Sequence, residues 1–172
     1  MFDKSVVESH TISVLVENEP GVLARVVGLF SGRGYNIESL TVSEVNKQKH
    51  LSRISIVTSG TPMVIEQIKE QLKRQVPVYS VQDLTVKGPH VERELALVKI
   101  VNSGDNRIEA LRVADSFRAR TLDSTLESFV FEVTGASSKV SAFVDLMTSL
   151  GETEVARTGV SAISRGSEID FQ

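Results

Sequence analysis

One order of hydrophobic periodicities occurs twice along this chain, and that repetition limits the folds open to it more than any single motif does. Residues 11–17 place Ile12, Val14 and Val16 on one face, the period-two pattern of a half-buried strand. After a Pro20-Gly21 corner, Val22, Leu23, Val26, Val27 and Phe30 recur at helical spacing, and Gly32 and Gly34 supply a stop. Residues 35–45 and 51–59 are rich in β-branched types and flank the polar "NKQKH", which predicts a hairpin. Val64, Ile65, Ile68 and Leu72 then return to helical spacing within 61–74, and 78–86 returns to strand composition. The order is strand, helix, strand, strand, helix, strand.

The same order restarts after "KGPH". "ELALVKI" reads as a strand, 106–118 as a helix, and "TLDSTLES" with "FVFEVTG" as a second pair of strands. Residues 138–150 carry Val140, Phe143, Val144 and Met147 along one helical side, and "TEVARTGVSAIS" supplies the last strand. Right-handed crossovers that each skip one strand position give an antiparallel sheet in the order 4-1-3-2 with both helices on one face. The predicted class is therefore α+β, with two tandem ferredoxin-like βαββαβ units over 8–88 and 89–172. In each, the second and fourth strands are edges whose unpaired backbone invites another chain.

Charge and residue usage remove several functions from such a scaffold. A net charge of −3 leaves no basic excess for a polyanion or an anionic membrane surface. The third strand, "LSRISIVT", has no aromatic residue on which RNA bases could stack. The chain has no cysteine, so it can build neither a disulfide framework nor a thiolate metal site. No signal-peptide pattern and no apolar run of membrane-spanning length occurs, so the expectation is a soluble cytoplasmic protein.

Catalytic signatures are equally sparse. His10, His50 and His90 have no partner at metal-ligand spacing and read as surface or turn residues. No serine sits in a G-x-S-x-G elbow. Gly28, Gly32 and Gly34 superficially match a phosphate loop, but they close a helix where a dinucleotide fingerprint must open one. An acylphosphatase-type hydrolase on this fold would need a glycine-rich loop with an arginine after the first strand, where "ENEPG" offers acids. The charged "KEQLKRQ" reads as the solvated face of a helix.

The Asn18-Glu19-Pro20-Gly21 corner carries more chemistry. Pro20 fixes φ at the helix entry, and Gly21 lets another molecule approach the unpaired N–H groups of the first turn. Such an end holds a carboxylate well: the helix dipole contributes typically about 0.3 to 1 kcal/mol, and each charge-assisted hydrogen bond about 1.5 to 3 kcal/mol. Local physics alone also allows an ordinary strand-to-helix turn.

The stretch "SVLVENEPGVLARVVGLFSGRGYNIESLTV" closely resembles the amino-terminal ACT domain of acetohydroxyacid (acetolactate) synthase small, or regulatory, subunits, and the resemblance extends through "HVERELALVKI" and "EVARTGVSAISRG". It implies a non-catalytic subunit that binds a catalytic subunit carrying thiamine diphosphate, Mg and FAD, raises its activity and confers feedback inhibition by valine in branched-chain amino-acid biosynthesis. No cofactor is expected in this chain. The family's valine site falls on Asn18, Gly21 and Asn36, with Val22, Leu23 and Ile37 as apolar lining. The second domain is ACT-like without an equivalent "N-E-P-G" corner. The alternative is a stand-alone ACT-type amino-acid sensor acting on another protein. In "HVERELALVKI", Arg93, Glu94 and Lys99 offer a surface for the catalytic subunit, although a linker with a core strand explains that stretch more simply.

A small amino acid suits the corner energetically. A ceiling of about 1.5 kcal/mol per non-hydrogen atom allows valine roughly 12 kcal/mol, more than the 8 or so that micromolar binding needs. A helix beginning at Val22 and ending near Gly32 spans roughly 16 Å, however, so one valine cannot touch both of its ends. The expectation is a homodimer in which two second strands pair about a twofold axis and bring Asn36 of one chain to Gly21 of the other.

Overall fold

A computed structural model describes residues 6–169 and divides them between two compact units. In the first, Glu8–Glu17 (β1), Val22–Arg33 (α1), Ser39–Asn46 (β2), Leu51–Gly60 (β3), Pro62–Lys73 (α2) and Val78–Asp83 (β4) follow the expected order. The strands form an antiparallel sheet in the order β2-β3-β1-β4, the 4-1-3-2 arrangement of a ferredoxin-like unit. Its register pairs Val14 with Ile54 and with Val81, and Ile12 with Ile56. The inward row of alternating residues therefore meets Val26 and Phe30 of α1 and Ile65, Ile68 and Leu72 of α2 in one core. Thr61 caps α2 by accepting from Val64 N–H, and Pro62 occupies the first turn, where its missing N–H costs nothing.

The second unit repeats the plan with His90–Val101 (β5), Asp105–Ser116 (α4), Arg120–Ser124 (β6), Ser128–Gly135 (β7), Ser137–Leu150 (α5) and Glu152–Arg157 (β8), after the short helix Leu84–Lys87 (α3). The strand order is β6-β7-β5-β8. Ala96, Val98 and Ile100 of β5 face Phe129, Phe131 and Val133 of β7, and Val140, Phe143 and Met147 of α5 close over them. Phe131 meets Phe143 edge-on with ring centroids 6.2 Å apart, a favoured aromatic arrangement. Both units are as the repetition of periodicities requires.

Four local expectations are corrected. The fourth strand ends at Asp83 rather than running to residue 86, because Asp83 accepts from Thr85 N–H at 3.1 Å and turns the chain into α3. The last strand is two: Gly159, with φ of 84°, breaks "TEVARTGVSAIS" into β8 and Ser161–Ser164 (β9). Residues 160–169 group with the first unit, and the division between the units falls at Val91/Glu92 rather than at 88/89. Val160 and Ala162 join Leu84 in a small apolar cluster, and Arg165 N–H donates to Pro89 O at 3.0 Å. His10 is no surface residue: it is 8% exposed, with Nδ1 lying 2.8 Å from Asp83 Oδ2.

In the second unit, Glu94 is buried and forked by Arg157, whose Nε and Nη2 donate to its two carboxylate oxygens at 2.6 and 2.8 Å, while Ser137 Oγ donates at 2.8 Å. These bonds, led by the one from Arg157, hold the Glu94 carboxyl below the usual glutamate range against the opposing cost of burial. Glu94 is thereby engaged inside the fold, as a core strand requires, whereas Arg93 and Lys99 are exposed, Lys99 pairing with Glu154.

Candidate functional site

The first end of the candidate site is made where β1 meets α1. Glu17 N–H is taken by Pro77 O at 3.0 Å and Asn18 N–H by His50 O at 2.6 Å, so the strand is held until its last residue. Glu19 N–H then turns back to Glu17 O at 2.9 Å, and Gly21 follows with φ of 86° and ψ of −7°. That left-handed geometry favours glycine, and an added Cβ would meet nothing within 4 Å, so the position opens outward. Arg25 N–H donates to Gly21 O at 3.0 Å as the first helical bond. No side chain caps the helix and no acid lies in its first turn, which leaves the Leu23 and Ala24 N–H groups without a helical or capping partner.

Of the two apolar neighbours expected here, the structure separates the roles. Val22, 5% exposed, is turned into the core beside Val26 and Phe30, whereas Leu23, 38% exposed, presents its side chain at the surface. Helical geometry forces the difference, since adjacent residues point about 100° apart. Asn18 is exposed at the same corner.

Asn36 stands at the far end of α1. The helix is 12 residues long, a span of about 18 Å. It stops at Gly34, with φ of 70°, whose N–H turns back to Phe30 O and Ser31 O, and Tyr35 N–H also reaches Phe30 O, at 3.0 Å. Tyr35 packs edge-on against Phe30, and Ile37 is half-buried against the same core. The sequence reading places Asn36 at the start of a strand. In the structure β2 begins only at Ser39, and residues 36–38, with Asn36 and Glu38 exposed, form an approach to it that is tied down by β3. Thr58 Oγ donates to Asn36 O at 2.6 Å, Glu38 N–H donates to Val57 O at 2.8 Å, and the Glu38 carboxylate accepts from Ser59 Oγ.

One chain thus brings Asn18, Gly21 and Leu23 together at one end of α1, and Asn36 and Ile37 together at the other, and does not bring the two groups to each other. Between them runs β2, bonded to β3 along one side and open along the other, with Val42 and Val45 exposed on it. Sequence reasoning missed Thr58 and Glu38. The signal for Thr58 was a polar residue in register with Ile54 and Ile56 on the buried face of a strand. Among the described residues no helix is long and apolar enough to cross a membrane.

Comparison with known proteins covers both units. A family model described as the AHAS small subunit-like ACT domain matches residues 12–80, and one described as the small subunit of acetolactate synthase matches residues 93–166. The chain is 48% identical over 159 residues to the probable acetolactate synthase small subunit of Archaeoglobus fulgidus, covering 92% of this chain and 98% of that protein. It is 46% identical over 159 residues to the acetolactate synthase isozyme 3 small subunit of Escherichia coli K12, covering 92% and 96%. The crystal structure of the Thermotoga maritima acetolactate synthase small subunit superposes with a TM-score of 0.83 at 38% identity, covering 94% of this chain and 99% of that one.

Proposed function

The chain belongs to the acetolactate synthase small-subunit family, and from that premise we propose that it is the non-catalytic regulatory subunit: it binds the catalytic subunit, raises its activity and makes it sensitive to valine. Thiamine diphosphate, Mg and FAD then reside on the catalytic partner, in the cytoplasm. This chain supplies the effector site and the coupling.

The observation that carries the reading is the pair of exposed ends of α1, one an uncapped helix N-terminus opened by Gly21 and the other an asparagine beside an unpaired strand edge. The carboxylate of valine accepts from the first-turn N–H groups at the positive end of the helix dipole. Asn18 and Asn36 side-chain oxygens accept from its ammonium group, and Leu23 and Ile37 cover its isopropyl group, worth about 1.5 to 3 kcal/mol when fully buried. Because some 18 Å separates the two ends within one chain, the site is completed between two copies whose β2 edges pair antiparallel about a twofold axis, giving a homodimer with two equivalent sites.

Coupling follows from linkage. If valine favours one arrangement of the dimer, and the catalytic subunit distinguishes the same arrangements, each changes the affinity for the other by one shared factor. The deciding experiment is acetolactate synthesis by the catalytic subunit across an L-valine titration, with and without this chain. The expected result is stimulation by the chain and valine inhibition only in its presence. A rate indifferent to the chain refutes the regulatory reading and leaves a stand-alone amino-acid sensor in its place.

A further inference from the structure

We propose that Thr58 is a positioning residue for the effector site: its buried hydroxyl, by holding the Asn36 carbonyl, sets the direction in which the Asn36 side chain points. The inference rests on the reading of Asn36 as half of the valine site and assigns a residue of β3 that touches no ligand itself.

Thr58 is 0% exposed and lies on the row of β3 that carries Ile54 and Ile56 into the core. A hydroxyl withdrawn from water at such a place needs a partner, and its partner is Asn36 O at 2.6 Å. That carbonyl belongs to the peptide joining Asn36 to Ile37. The residues before it are fixed by the Gly34 cap and by Tyr35 N–H on Phe30 O, which set the chain entering Asn36. The residues after it are fixed by Glu38 N–H on Val57 O and by the Glu38 carboxylate, which accepts from Ser59 Oγ and, at 3.5 Å, from Ser9 Oγ. Between these anchors, the Thr58 bond fixes the orientation of the Asn36–Ile37 peptide. With the entering chain and that peptide both fixed, the Cα–Cβ bond of Asn36 has one direction. An exposed asparagine is thereby preorganised without any partner of its own side chain being required.

The hydroxyl and the methyl of Thr58 can be tested separately. Thr58→Val keeps the buried volume and removes the donor; Thr58→Ser keeps the donor and removes a buried methyl group. A residue that merely fills the core predicts the serine variant to be the more damaged. Positioning predicts the opposite for binding. In isothermal titration of the full chain with L-valine, Thr58→Val should raise the dissociation constant about 3- to 10-fold, the loss of one hydrogen bond's net contribution, while Thr58→Ser stays within about twofold of wild type. Thermal unfolding of the same samples checks that both variants are folded at the titration temperature, so that the binding difference reports the site. Equal or weaker valine binding by Thr58→Ser than by Thr58→Val overturns the proposal and leaves a packing role. Asn36→Ala is the reference. If it binds valine poorly while Thr58→Val binds normally, the positioning role fails and the site stands. If Asn36→Ala itself binds normally, the reading of the site fails and Thr58's role goes with it.

Discussion

Two variants of this chain, each binding valine weakly, should recover normal binding when they share a dimer. The perturbations are Gly21→Ala, which spoils one end of α1, and Asn36→Ala, which spoils the other. An alanine at φ of 86° costs about 1 to 2 kcal/mol of backbone strain, and its methyl group meets no protein atom within 4 Å, so the fold survives with Tm lowered by about 2 to 8 °C. On the proposed site, that methyl would enter the space through which the valine carboxylate reaches the Leu23 and Ala24 N–H groups. Losing one charge-assisted hydrogen bond there weakens binding by about 10- to 150-fold. If the site is completed between two chains as proposed, the Gly21→Ala defect of one chain and the Asn36→Ala defect of its partner fall in the same site of a mixed dimer. The other site is built from the unaltered Gly21 and the unaltered Asn36, and is whole.

The assay uses chains carrying two different affinity tags, co-expressed so that the mixed dimer can be isolated by successive capture. Calorimetric titration with L-valine should give about one normal-affinity site per mixed dimer, against about two for wild type and only weakened sites for either parent dimer. A site contained within one chain predicts no recovery, because every chain in the mixture is defective. A mixed dimer that binds no better than its parents therefore refutes the argument from helix length. So would normal binding by either parent, since neither end of α1 would then matter.

Two further outcomes follow from the second unit. A Cβ on Gly151 would lie against the Val101 carbonyl oxygen and 2.9 Å from Asn102 Cβ; the backbone cannot yield as a side-chain tip can, so Gly151→Ala should destabilise the protein by about 1 to 3 kcal/mol, read by urea titration. Glu94 has a folded-state pKa below its unfolded value, so its bonds to Arg157 and Ser137 contribute stability that is fully present above the unfolded pKa of about 4.3 and is lost as pH falls through the lowered folded value. Glu94→Gln should remove that part of the acid sensitivity, and unfolding midpoints measured from pH 6 down to about 3 should then fall less steeply than in wild type; identical slopes would show that the carboxylate does not drive it.

Much of the fold was legible because its causes are local. A two-residue period writes a strand's buried face directly into the order of residues, and the helical period does the same for α1, α2, α4 and α5. Once six elements stand in the order strand, helix, strand, strand, helix, strand, crossover handedness leaves 4-1-3-2 as the sheet. The errors arose where a distant partner decided. Residues 84–86 have strand composition but fall within α3, since Asp83 gains Thr85 N–H and His10 together in the folded chain. Arg157 lies 63 residues from Glu94, so no spacing rule could anticipate their pairing.

The candidate site divides along the same line. The sequence by itself determined the corner at residues 18–21, because proline and glycine act on their own dihedral angles, and it determined that Asn36 stands a helix-length away, because rise per residue is constant. Tertiary structure decided which of Val22 and Leu23 faces outward, where β2 truly starts, and that a buried threonine on β3 grips the Asn36 peptide. Those outcomes depend on which side of an element meets the core and on strands that meet across the sheet, and such contacts exist only once the chain has closed on itself.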